Sequence, residues 1–229
     1  MLLRIVFSAA LIPMITGVSN SKASETKVSA EKIKAAITKS VPLIEKGAAG
    51  SAKQRTCFTC HSQALPVLAI TAARQRGFKV DEANLQKQLK HTTDHLKRGR
   101  KKYLEGRGQG GRVVTAGYAL WALEAGGIKP DDTTAAVTHF LLEYQKQAKH
   151  WKQSGNRPPS SGSDFATTYV ALRGLADFGT EEQQSKIDAR TKTVGDWLLT
   201  AKPKDTEDRV FRFWALQYVD DAEVAIEKA

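Results

Sequence analysis

The 229-residue chain has only two cysteines, two methionines and seven prolines, and aromatic residues make up 7% of it. Two thiols close at most one bridge, which excludes a disulfide-built scaffold. Alternating, β-branched stretches bounded by turns are nearly absent, which excludes the sheet-based classes. The glycine-rich Gly106–Gly111 stretch follows no strand and has no Gly-Lys-Ser/Thr, so it does not read as a phosphate loop. No serine, histidine and aspartate stand in a recognisable nucleophile setting. Acidic residues are scarce beside basic ones, 24 against 35, a formal net charge of +11. That surplus predicts a solvated basic surface suited to an acidic partner or an anionic membrane surface.

The first residues read as an export signal. Arg4 is a short positive start, Ile5 to Val18 is apolar, and Ser21-Lys22-Ala23 offers small residues for cleavage after Ala23. The apolar run is interrupted by Pro13 and is shorter than the ~20 residues of a spanning helix. Residues 1–23 are therefore expected to be a signal peptide. Residues 24–229 are expected to form one periplasmic or secreted domain that is not integral to a membrane. In that compartment the basic run from Lys97 to Lys102 reads as a solvated helix end, and no nucleic-acid partner is expected.

Helical periodicity dominates the remainder. Ile33, Ile37, Val41 and Ile44 mark an amphipathic helix from Ala30 to Lys46, with Pro42 near its end and Gly47 and Gly50 closing it. Leu65 to Gln75 predicts a buried helix, and Asp81 or Asn84 caps a polar one carrying Leu85, Leu89, His95 and Leu96. The pattern then recurs. Val113–Ala125 is apolar, Thr134–Lys149 amphipathic, Phe165–Phe178 apolar, Glu181–Thr200 amphipathic, Asp205–Val219 apolar, and Asp221–Lys228 begins a further helix. The stops at Gly77, Gly127 and Gly179 lie 50 and 52 residues apart. An apolar helix is covered on all sides only if such units stack with the amphipathic helices outside. This predicts an all-α fold of about four stacked helix pairs, an α-solenoid or α/α toroid.

One motif carries chemistry. Cys57-Phe58-Thr59-Cys60-His61 has the spacing of a c-type haem attachment site, where two thiols reach the porphyrin vinyl groups and the next imidazole reaches the iron. Three other readings stand beside it: a Cys57–Cys60 disulfide, zinc held by the thiolates with His61 and a second histidine, and plain packing. If haem is bound, Met1 and Met14 both fall in the signal, so the second iron ligand comes from His91, His95, His139 or His150, or stays open. His91 and His95 lie four apart on one helix face, which is polar enough that both read as ordinary surface residues. Trp121, Trp151, Trp197 and Trp214 recur at related places in the units and read as core packing.

Gln145-Lys146-Gln147-Ala148-Lys149-His150-Trp151 resembles the Gln-x-x-x-Gly-x-Trp motif of squalene-cyclase/prenyltransferase-type α/α toroid repeats, with Lys149 where glycine belongs. Phe165 to Leu172 resembles the start of an inner helix in that family. With Cys57–His61 followed by Gln63, Leu65 and Pro66, the chain resembles exported bacterial proteins that join such repeats to a cytochrome-c-like motif. The resemblance covers Ala30 to the C-terminus. It implies a partial toroid of roughly four repeats, for which a homodimer would complete the ring. It also implies either haem-based redox work with a redox partner, or a non-catalytic scaffold for a protein or lipid-like ligand. A terpenoid-cyclase activity fits less well, because Lys129-Pro130-Asp131-Asp132 lacks the first aspartate of the Asp-x-Asp-Asp acid and reads as a helix cap.

Overall fold

The computed structural model describes residues 28–155 and 162–219. The expected signal peptide, the helix expected over 221–228 and most of the loop over 156–163 lie outside the described residues. Among the described residues the chain is all-helical. Its α-helices are α1 (Ala30–Gln54), α2 (Leu65–Gln75), α3 (Glu82–Leu104), α4 (Arg112–Ala125), α5 (Asp132–Glu143), α6 (Asp164–Phe178), α7 (Gln184–Thr200) and α8 (Thr206–Leu216). A π-helical turn, Cys60–Ala64, leads into α2, and a 3-10 turn, Glu181–Gln183, leads into α7.

The helices form two rows. Helices α2, α4, α6 and α8 touch in succession, as do α1, α3, α5 and α7, and each odd-numbered helix also packs on the even-numbered helix after it. The reason lies in the side chains. Helix α4 buries Val113, Val114, Ala116, Tyr118, Ala119, Leu120, Ala122 and Leu123, which point all round its axis, so it needs neighbours on every side. Helix α3 is polar overall and buries one stripe that includes Leu85, Leu89, Leu96 and Tyr103. It therefore belongs to a row with one face towards water.

The caps follow the sequence closely. The Asp81 carboxylate accepts the Asn84 N–H at 2.9 Å. Asp131 accepts the N–H groups of Thr133 and Thr134 at 2.9 and 2.8 Å, and the Thr134 hydroxyl accepts the Asp131 N–H at 2.8 Å. This is a capping box, and it places Asp131 in the helix-cap role expected of it. Gly77 and Gly127 end α2 and α4 at φ of +79° and +80°. In each case the residue after glycine bonds back to the carbonyl five residues earlier, Phe78 to Ala73 and Ile128 to Leu123. Gly179 ends α6 differently, at φ −62°. A Cβ there would lie 2.6 Å from the Leu175 carbonyl oxygen, so crowding rather than handedness requires glycine.

Two expectations are corrected. Gly47 and Gly50 do not close α1, which continues to Gln54. Both glycines face open space, whereas Ala48 is buried, and propagating a helix already nucleated costs less than ending it. The helix expected over Thr134–Lys149 stops at Glu143. The chain turns at Gln145, φ +54°, because Trp151 is pulled back into the core, where its indole N–H donates to the Leu141 carbonyl at 2.9 Å. The Arg190 guanidinium lies 4.3 Å from the centre of the Trp151 ring, which is fully buried. The motif from Gln145 to Trp151 is thus a structural turn between α5 and α6.

Gly117 of α4 brings the two central helices together. A Cβ at this position would stand 2.6 Å from the Val170 side chain and 2.8 Å from its carbonyl oxygen on α6. Gly117→Ala is expected to lower unfolding free energy by about 1–3 kcal/mol, as overpacking does. Urea denaturation checks this, and an unchanged midpoint would mean that α4 and α6 do not approach so closely.

Candidate functional site

The Cys57–His61 motif lies between α1 and α2, and one buried glutamine fixes its shape. The Gln63 side-chain oxygen accepts the Thr59 N–H at 2.8 Å and the Thr59 hydroxyl at 2.9 Å. The Gln63 amide nitrogen donates to Ser51 of α1 at 3.2 Å. The Thr59 hydroxyl in turn accepts the Ser62 N–H at 3.3 Å. The next five residues wind as a π-helical turn, a form that recurs at functional sites. Pro66 follows at the start of α2, where a missing N–H breaks no helix bond.

Helix α3 supports the motif from behind. The His91 Nε2 is 3.3 Å from the Cys57 carbonyl oxygen, and the Arg98 guanidinium donates to the Thr56 carbonyl. Between them the His95 ring packs 6.0 Å from the Phe58 ring, with both side chains buried. The spacing of 91, 95 and 98 places them on one face, one turn apart. The expectation that both histidines are ordinary surface residues is therefore corrected: His95 is 8% exposed and His91 half-buried. The His95 Nε2 is buried with no hydrogen-bond partner. Burial, followed by the charges of Arg98 and His91, lowers its pKa to about 4.

On the α4 side the motif opens onto a cleft. Phe58, Thr59, Cys60 and His61 line one wall of a cavity of about 380 Å³, and Gly110, Gly111 and Val114 line the other. That volume is within the ~300–1,000 Å³ of small-molecule sites. The Cys60 Sγ lies 4.0 Å from the Val114 carbonyl oxygen, and burial pushes its thiol up to about 11. Cys57 is exposed, His61 is exposed, and both thiols are free.

These residues fit a covalent haem. One thiol is open to solvent and the other faces the cleft. The imidazole that follows has no side-chain partner among the described residues. Gly110, Gly111 and Gly155 leave part of the opposite wall without side chains, beside Val114, Thr115 and Ser154. Zinc would need its ligands gathered at one point, and among the described residues no group of three or more His, Cys, Asp or Glu side chains is so arranged. The other expected residues are separate from the cleft. His91 and His95 lie behind the motif and do not line it. His139 is on α5, and His150 stacks on Trp197 at 4.0 Å while its Nε2 is 3.1 Å from the Asp164 carboxylate.

Sequence reasoning missed the clamp and the far wall. Gln63 looked like part of the motif's tail, and Gly110 and Gly111 belonged to a glycine-rich stretch that did not read as a phosphate loop. The spacing of His91, His95 and Arg98 was the available signal for the support behind the loop. No family model, curated protein or solved structure matches the chain.

Two measurements on the haem-free chain test the site's environment. With a pKa of about 11, only about one Cys60 thiol in a thousand is ionised at pH 8. Iodoacetamide followed by peptide mass mapping is therefore expected to label Cys57 at least tenfold faster, and equal rates would contradict the burial of Cys60. His95 takes a proton near 6.5 when unfolded and near 4 when folded, so between those values the unfolded chain binds more protons. Stability is expected to fall as pH drops from 6.5 towards 4, and His95→Phe is expected to flatten that slope. Urea midpoints across this range decide it; a slope identical in both chains would show that His95 is not buried in its neutral form.

Proposed function

We propose that this chain is an exported helical-repeat protein that carries a c-type haem and serves in electron transfer or another haem-based redox role. Cys57 and Cys60 would hold the group through thioethers, and His61 would hold its iron. The observation that carries the reading is the arrangement of Cys57, Cys60 and His61 on a clamped turn beside an open cleft walled in part by glycines. Bound there, a haem would supply one-electron chemistry. The protein's own part is to fix the turn through Gln63, to brace it through His91 and Arg98, and to bury Phe58 against His95. His91 and His95, the second-ligand residues expected from the sequence, lie behind the turn and do not line the cleft, so in this proposal they brace the turn and do not ligate the iron.

For the fold we propose a partial α/α toroid. Support comes from the two helix rows and from the Gln145–Trp151 turn, which resembles the motif of that repeat family in sequence. Export and a periplasmic location belong to the same proposal and rest on residues 1–23.

Expression with a signal sequence and the haem-maturation machinery tests the cofactor. Pyridine-haemochrome absorbance and intact mass are expected to show one haem per chain. Cys57→Ser is expected to leave a single thioether, with the shifted α-band that a remaining vinyl group gives. A mass lower by only two hydrogens, without haem, would overturn the reading in favour of a Cys57–Cys60 disulfide.

A further inference from the structure

The charge around the motif is one-sided. From residue 46 to residue 80 the sequence contains six basic residues and no aspartate or glutamate. The structure gathers part of this run around His61. A shallow groove of about 550 Å³ lies against His61 at the end of α1, and its lining includes Lys46, Gln54, Arg55 and Ser62. Lys53 stands in the last turn of the same helix, and Arg98 reaches the Thr56 carbonyl from α3. The groove lining contains no carboxylate. Among the described residues Lys46, Lys53, Arg55 and Arg98 make no ion pair. The nearest acidic residue in sequence, Glu45, is held by the Asp81 N–H at 2.6 Å.

Elsewhere some charges are paired: Arg74 meets Glu82, Lys90 meets Asp94, and Arg173 meets Glu124. Other exposed cations such as Lys192 and Lys202 make no ion pair among the described residues; the groove stands out because no carboxylate lines it. A cluster of like charges left unpaired destabilises the fold by self-repulsion, and a partner of opposite sign removes that repulsion on binding. Gly47 and Gly50 give the groove a floor without side chains, and a Cβ at either would meet nothing within 4 Å. The polar side chains that line the groove are exposed or half-buried, so it lacks the desolvated donors of a small-anion site. A broad, hydrated, cationic face suits another protein's surface.

We infer that the end of α1 together with the Cys57–His61 turn forms a docking face for an acidic protein surface. This rests on the redox reading above, for which the occupant is the electron-transfer partner. Lys46, Lys53 and Arg55 attract the partner and set its orientation, bringing it against the exposed edge of the motif. Steering of this kind raises association rates by about 10–10³-fold and weakens with salt.

The test uses the full exported chain and an octaglutamate peptide as probe, with binding followed by NMR at low ionic strength and at about 0.15 M salt. The peptide is expected to shift resonances around Lys46–Ser62 and to bind more weakly at the higher salt. Lys46→Gln/Lys53→Gln/Arg55→Gln is expected to weaken it about tenfold at low salt, as the loss of three exposed charges would. Lys192→Gln/Lys202→Gln, on and just beyond α7, is expected to leave binding unchanged. Equal weakening in both variants would overturn the inference. So would saturation of the same residues by inorganic phosphate, or binding of phosphatidylglycerol vesicles where the peptide does not bind. Haemochrome absorbance on the same samples separates the two proposals. Haem without selective peptide binding removes the docking face and leaves the redox reading. Selective binding without haem keeps the acidic-partner face and removes its redox purpose.

Discussion

Helix α4 is apolar around its whole circumference, and the rest of the structure answers that constraint. A helix with no face for water is stable only when neighbours cover it, and α2, α3, α5 and α6 do so. The same requirement recurs for α6, which buries residues on nearly every turn side. Stacking the pairs meets both needs at once and leaves the polar faces of the odd-numbered helices outside. Gly117 and Gly174 allow the closest approach, because a Cβ on either would run into the other helix.

That stack also makes the site. The turn before α2 must pass between the ends of α1 and α4 and across the face of α3. It meets a different kind of contact on each side. Gln63 ties it to α1 by hydrogen bonds, Phe58 ties it to α3 by burial, and Val114 with Gly110 and Gly111 leaves it a gap on the α4 side. The turn is held from behind and open in front. A covalently attached planar group needs that combination, because its two thiols and one imidazole must keep their spacing while the group itself requires room. The cost is seen in His95, whose unpartnered Nε2 is buried beside Phe58.

Much of this was legible in the chain. Apolar runs separated by glycine stops at Gly77, Gly127 and Gly179 predicted alternating helices. The aspartates at 81 and 131 predicted where two of them begin, because a short acidic side chain satisfies the free N–H groups there. What could not be read depended on contacts distant in sequence. Gly47 and Gly50 look like a helix end, yet whether a glycine ends a helix depends on what lies beside it. Lys149 looks like the continuation of a helix that Trp151 has already pulled away. His95 sits in a polar stretch and still faces inward, because Phe58 on a separate segment packs against it. The Cys57–His61 motif itself was plain in sequence, but its orientation towards Gly110 and Gly111 was not.

The central claim is that this turn presents two thiols and an imidazole to one haem. Tryptic digestion of protein matured in an exporting, haem-ligating host, with tandem mass spectrometry of the peptide from Thr56 to Arg74, measures that most directly. The account predicts that haem mass is carried on this peptide alone, with fragment ions placing it between Cys57 and Cys60. An unmodified peptide, or one closed by a Cys57–Cys60 bridge under the same conditions, would contradict it.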